Sequence, residues 1–151
     1  MSRFAARVLI SGALAAISSA LAAVATSRLE NRHAARPLNA IAHIYDGGPP
    51  GAGSGPRNRN TALGLALHTG ASIWWALLFE AVLGKRARRS VSAAAASGAL
   101  ISATAYVVDY YVVSRRFRPG FEAYLSGRAM FAVYAALALG FAAGASATRR
   151  P

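Results

Sequence analysis

The chain has no cysteine and only five acidic residues, and these scarcities limit what it can do. The absence of cysteine excludes disulfides, cysteine metal ligands and thiol chemistry. No phosphate-binding loop, nucleophile elbow or dinucleotide fingerprint occurs, because the glycines around residue 50 lack the strand-to-helix context that such motifs need. We therefore expect no cofactor, and a non-enzymatic role is favoured over an enzymatic one.

Charged residues are also missing from most of four long stretches. These stretches lie between Arg7 and Arg28, Arg59 and Lys85, Arg89 and Arg115, and Arg128 and Arg149, and the only histidine and acidic residues within them are His68, Glu80 and Asp109. A helix needs about 20 mostly apolar residues to cross a bilayer. The pattern predicts an all-α integral membrane four-helix bundle, a single domain with helices at about 5–27, 61–84, 90–114 and 121–147.

One long flexible loop, residues 28–60, is expected between the first two helices. Within it, Pro37 can open a short helix on the membrane surface. The apolar side chains on one side of that helix are Leu38, Ile41 and Tyr45. The glycine- and proline-rich stretch 47–56 has no helical or strand signal, so it is expected to be flexible.

The net charge of +12 raises the question of nucleic acid. Nearly all arginines lie at the ends of the apolar runs, where long basic side chains reach lipid phosphates. The expected partner is therefore the lipid bilayer, with a homo-oligomer or other membrane proteins as further possibilities, and not nucleic acid. The dense basic turn from Lys85 to Arg89 favours an orientation with both termini cytoplasmic.

The first apolar stretch has two interpretations. Arg3 and Arg7 precede an apolar run ending in a small-residue motif, which also fits a cleaved secretory signal. The run is long for a signal core, and its small residues form a face suited to close helix packing. Those residues are Gly12, Ala16, Ala20 and Ala23. A retained helix is favoured.

A polar cluster is predicted between the second and third helices, made of His68 and Asp109 with Tyr106 or Tyr110 beside them. The short connecting turn makes these helices antiparallel neighbours, and both residues lie at similar depth on stripes of small residues. One interpretation is a proton-handling or cation-binding site, because histidine titrates near neutral pH. The other is structural, with Asp109 paired to Arg116 or Arg128.

Glu80 is expected to pair with Arg7, Lys85 or another basic residue of the following turn, since an unpaired carboxylate in lipid is costly. A basic cluster of Arg115, Arg116, Arg118 and Arg128 is expected at the opposite interface, anchoring the helices or contacting anionic lipid. A metal site using His43, Asp46 and His68 is a weak alternative, because its spacing matches no standard zinc pattern.

Three strings of this chain resemble an uncharacterised family of small bacterial inner-membrane proteins with four transmembrane helices. They are RPLNAIAHIYDGG, NTALGLALHTGASIWWALLFE and ATAYVVDYYVVSRRFRPGFEAYLSGRAMFAVYAALALGFAAG. The resemblance is strongest at Thr61, Gly64, His68, Trp75, Glu80, Asp109, Tyr110, Arg116, Pro119, Gly120 and Glu122. It implies the same architecture and carries no activity. Ser114 departs from it, standing where proline is expected.

Three functions remain open at this stage. The first is a non-enzymatic small membrane or accessory protein. The second is a proton- or cation-coupled transport component that uses His68 and Asp109. The third is a membrane-embedded metalloenzyme. A polar cavity that reaches His68 would favour the second over the first.

Overall fold

The computed structural model describes residues 1–30, 32–50 and 57–149, and all regular structure in them is helical. The α-helices are α1 (Arg3–Leu29), α2 (Arg36–Ile41), α3 (His43–Asp46), α4 (Arg57–Leu78), α5 (Gly84–Ala87), α6 (Val91–Val107) and α7 (Gly127–Ala147). Two π-helical turns, Phe79–Leu83 and Val108–Val112, extend α4 and α6, and two 3-10 turns follow at Arg115–Phe117 and Phe121–Ala123.

Four helical stretches are long and apolar enough to cross a membrane. They are Arg3–Leu29, Asn58–Ala87, Val91–Val112 and Gly127–Ala147. Two boundaries differ from the expectation. The second long helix already begins at Arg57, and the fourth begins only at Gly127 because Ser126 caps it, accepting a 3.3 Å hydrogen bond from the Ala129 amide.

The first and last long helices, α1 and α7, form the central pair of the bundle. Their backbones approach closely where α7 carries glycine: a β-carbon at Gly140 would collide with the Ala15 backbone, and one at Gly144 with Ser11. The Ser18 hydroxyl also donates a 2.7 Å hydrogen bond to the Ala136 carbonyl across this interface. Small residues therefore set the packing distance here.

The outer pair of long helices is arranged differently from the expectation. Helix α4 packs on α1, and α6 packs on α7, while α4 and α6 meet mainly through α5 and the Phe79–Leu83 turn. The small-residue stripe of α6 accordingly faces α7, where Ser102 donates a 2.6 Å hydrogen bond to the Tyr134 carbonyl. The prediction that the second and third helices pack along their lengths is wrong, because a short turn fixes only the ends that it joins.

The segment between the first two long helices is partly ordered on the bundle. Leu38 and Ile41 of α2 are buried while Tyr45 is exposed, so α2 lies against protein rather than presenting one continuous apolar side outward. A β-carbon at Gly64 would collide with the Leu38 carbonyl, which shows how closely α2 lies on α4. Of the stretch expected to be flexible, residues 51–56 lie outside the described part of the chain.

Candidate functional site

A cavity of about 240 Å³ lies between α4, α7 and the π-helical turn that follows α6. His68 and Trp75 contribute from α4, Asp109 from the π-helical turn after α6, Ser19 from α1 and Tyr134 from α7. Apolar residues of the connecting segments complete its lining. They are Ile41, Ile44, Phe117, Pro119 and Phe121. All four long helices and both longer connections thus build one site.

Asp109 is held by a neutral donor. Its Oδ2 accepts a 2.8 Å hydrogen bond from the Tyr134 hydroxyl, and the Trp75 side chain lines the same cavity. Among the described residues the ion pairs join Arg59 to Asp46 and Arg88 to Glu80, so Asp109 has no cationic partner there. The expected pairing of Asp109 with Arg116 or Arg128 is not seen.

His68 is held from the opposite side, by α1. Its Nε2 lies 3.0 Å from the Ser19 hydroxyl and 3.3 Å from the Ala16 carbonyl. A carbonyl oxygen only accepts, and Ser19 already donates to Ala15 at 2.6 Å, so Nε2 carries the proton. The other ring nitrogen, Nδ1, has no hydrogen-bond partner within the described residues and remains the basic atom of the ring.

His68 and Asp109 therefore share a cavity without contacting each other through a described hydrogen bond or ion pair. The predicted polar cluster has its two main members at one site, but each is positioned by a different central helix. Tyr106 and Tyr110 do not line this cavity; they pack around the Tyr134 ring, with centroids 5.1 and 6.2 Å away.

Two site residues, Ser19 and Tyr134, escaped the sequence analysis, and Trp75 was not assigned to the site. Ser19 was hidden within an apolar run, and nothing local marks Tyr134 as the partner of Asp109. The sequence did indicate a position near the site for Trp75, because this residue lies on the same face of the helix as His68. In the structure it is buried, at 9 % exposure, whereas the adjacent Trp74 is 58 % exposed.

Glu80 occupies a separate site at the other end of α4, in the Phe79–Leu83 turn. Its Oε2 accepts a 2.6 Å hydrogen bond from Arg88, and its Oε1 accepts one of 2.8 Å from the Ser11 hydroxyl. The partner is thus a basic residue of the following turn, and not Arg7 or Lys85. Gly84 makes room for this pair, since a β-carbon there would lie 2.7 Å from Oε2.

The weak metal candidates are engaged elsewhere. The buried His43 places Nδ1 2.6 Å from the Ala40 carbonyl, and Asp46 pairs with Arg59 at 3.1 Å. Across the described ranges, no three histidine, aspartate or glutamate side chains gather into a metal-binding group. Among the four interfacial arginines, Arg115, Arg116 and Arg128 are exposed, whereas Arg118 is half-buried.

No family model matches the chain, and no curated protein or solved structure is significantly similar to it. The function is therefore inferred from the chemistry of the cavity. The cavity offers one basic nitrogen, on His68, and one carboxylate, on Asp109, within a mostly apolar wall. These groups can hold a proton or a small cation between them.

Proposed function

We propose that this chain is a non-enzymatic multi-pass protein of the bacterial inner membrane, and that its cavity binds and passes protons or small cations as part of a coupled transport system. Four helices of sufficient length and apolarity support the membrane location. The resemblance to small four-helix inner-membrane proteins supports the same location. We place both termini and the Lys85–Arg89 turn on the cytoplasmic side, with the cavity toward the outer side.

The observation that carries this proposal is Asp109, which faces the cavity without a cationic partner among the described residues. An ionised carboxylate that lacks a counter-charge inside a membrane costs several kcal/mol. The negative charge can be neutralised in three ways. Asp109 can bind a proton, His68 can become positively charged across the cavity, or a cation can bind between the two residues. Each of these is reversible uptake of positive charge.

The surrounding donors suit such a cycle. Tyr134 can donate to Asp109 in either state of the carboxyl group, because the protonated form keeps an acceptor oxygen. The Nδ1 of His68 can gain a proton without breaking the Nε2 contacts to Ser19 and Ala16. Protonation therefore changes charge in the cavity while leaving the helix contacts in place.

Proton flux in reconstituted vesicles tests the proposal. With a pH-sensitive dye inside and an imposed pH gradient, the wild-type chain should dissipate the gradient, and Asp109→Asn and His68→Gln should lose most of that flux. Glu122→Gln is the matched control, because Glu122 is exposed outside the cavity. Repeating the assay with sodium or potassium gradients separates proton from cation uptake. Unchanged flux of both ions in Asp109→Asn would reject the proposal.

The orientation has its own test in this cysteine-free chain. A cysteine replacing exposed Ser114 should react with an impermeant thiol reagent in intact spheroplasts, whereas one replacing exposed Ser92 should react only after lysis. The reverse pattern would place the cavity on the cytoplasmic side.

A further inference from the structure

A second and larger concavity of about 1200 Å³ runs along the outer surface between α6 and α7. It extends from Ala95 to Tyr111 on the α6 side, a length of about 24 Å at 1.5 Å per residue. This is close to the thickness of a bilayer's hydrocarbon core, about 30 Å. Its walls are alanines and aromatic rings, with Tyr134 separating it from the His68–Asp109 cavity, since that residue lines both.

Polarity in this groove is concentrated at one end. Arg118 and Glu122 line it there, where α6 ends and α7 begins. The Nε of Arg118 is buried and has no hydrogen-bond partner within the described residues. No described hydrogen bond or ion pair involves the rest of this guanidinium either, so the Arg118 side chain, which lines the groove, can bind an acceptor from outside the chain.

We propose that this groove is a binding site for one anionic phospholipid, with an acyl chain against the alanine walls and the phosphate on Arg118. An apolar trough with charge at one end matches an amphiphile. The local charge favours an anionic headgroup, because the segment between α6 and the start of α7 carries four arginines against two nearby acids, Glu122 and the Ser126-bonded Glu30. Those arginines are Arg115, Arg116, Arg118 and Arg128. A guanidinium also binds phosphate through strong, charge-assisted hydrogen bonds.

Spin-labelled phosphatidylglycerol in phosphatidylcholine vesicles gives the association constant of the headgroup directly. Arg118→Gln should weaken phosphatidylglycerol association by roughly tenfold, the scale of losing hydrogen bonds to a charged group. Arg118→Lys keeps the charge but lacks Nε–H, so its loss should be smaller but measurable. The control is Arg116→Gln, which removes an exposed arginine that does not line the groove.

The apolar part of the groove is tested without touching Arg118. Ala99→Phe places a ring in the groove and should lower phosphatidylglycerol association, whereas Ala96→Phe, at an exposed site on the same helix outside the groove, should not. Inorganic phosphate added as a competitor should displace little lipid, because it lacks the acyl chain.

Three results would overturn the proposal. Equal losses in Arg116→Gln and Arg118→Gln would show general charge attraction. Displacement by inorganic phosphate would show a site for soluble anions. A change in oligomeric state without loss of lipid in Ala99→Phe would show that a second copy of the chain occupies the groove. The lipid measurement is independent of ion flux, so it stands or fails separately from the transport proposal.

Discussion

The two ends of the bundle each carry one acid in a π-helical turn, and they use it differently. At the end joined by α5, Glu80 in Phe79–Leu83 is fully enclosed between Arg88 and Ser11. At the other end, Asp109 in Val108–Val112 meets one neutral donor, the Tyr134 hydroxyl, and a cavity. Similar local backbone therefore supports two different electrostatic environments.

The difference lies in what the neighbouring helices supply. Helices α4 and α6 converge near Glu80, where the basic turn delivers Arg88. They diverge near Asp109, leaving a space that no described cationic side chain fills. A buried acid with a fixed cation is typical of structural pairing, whereas one in a cavity without a cation is a candidate for reversible charge uptake. π-helical turns are frequent at functional sites, but here the partner distinguishes the roles.

The largest effect is expected from breaking the closed end. Arg88→Gln leaves the Glu80 carboxylate buried without its cation and should lower the free energy of unfolding by about 3–5 kcal/mol. Adding Glu80→Gln should recover part of that loss, because the two residues share one interaction. Denaturant unfolding in mixed micelles measures both. Arg89→Gln, at the exposed neighbouring arginine, is the control, and strictly additive losses would contradict the pairing.

The packing of the two ends can be compared by making the same alanine-to-leucine change at two positions of α4. Ala76 is fully buried, so Ala76→Leu should overpack the closed end and cost about 1–3 kcal/mol of unfolding free energy. Ala71 lines the cavity, so Ala71→Leu has space and should stay within about 0.5 kcal/mol of wild type. Thermal unfolding of the two variants decides this, and equal losses would mean that the cavity end is as tightly packed as the other.

The bond that holds Asp109 is expected to matter less than the pair that holds Glu80. Tyr134→Phe keeps the ring and removes only the hydroxyl that donates to Asp109, for a loss of about 1 kcal/mol in unfolding free energy. Tyr124→Phe is the control, because its ring lies near Arg36 while no hydrogen bond within the described part of the chain involves its hydroxyl. A loss as large as that of Arg88→Gln would make Asp109 a structural acid like Glu80.

The smallest effect concerns Glu30, a partly exposed acid just beyond α1 at the cavity end. A hydrogen bond from the Ser126 side chain lowers the pKa of Glu30, and the Ser126 amide assists at 3.2 Å. Its stabilising contribution is therefore present above the unfolded-state pKa and is lost as pH falls through the lower folded-state value. Melting temperature measured at pH 6 and at pH 3 should fall slightly less in Glu30→Gln than in wild type. An identical fall would show no linkage.

Much of the fold was accessible from sequence because membrane-length apolar stretches are a local property. The gaps between charges located all four long helices. Helix ends were less accurate, since they depend on capping: Ser126 starts α7 later than the charge pattern indicated. The partner of Glu80 was also within reach, because Arg88 lies about two helical turns further along the same chain segment.

The lateral arrangement was not accessible from sequence. Each long helix has a face of small residues. The residue types on these faces do not identify which helix packs against which. The stripes with His68 and Asp109 were matched to each other, whereas the structure turns them toward α1 and α7, so Ser19 and Tyr134 were missed. The sequence analysis predicted a direct contact between His68 and Asp109, whereas the structure shows that they share a cavity. Equal depth along two helices does not determine the lateral distance between their side chains.

The pairing of α1 with α7 has a consequence for biogenesis. Helix α1 leaves the ribosome before α4 and α6, and α7 leaves it after them. Ser11, Ser18 and Ala15 can meet Ala136, Gly140 and Gly144 only after every intervening helix has been synthesised. The α1–α4 and α6–α7 hairpins can pack as they are made, but the central pair that joins them can form only at the end. A nascent polypeptide arrested before α7 would leave the α7-facing side of α1 uncovered in the bilayer.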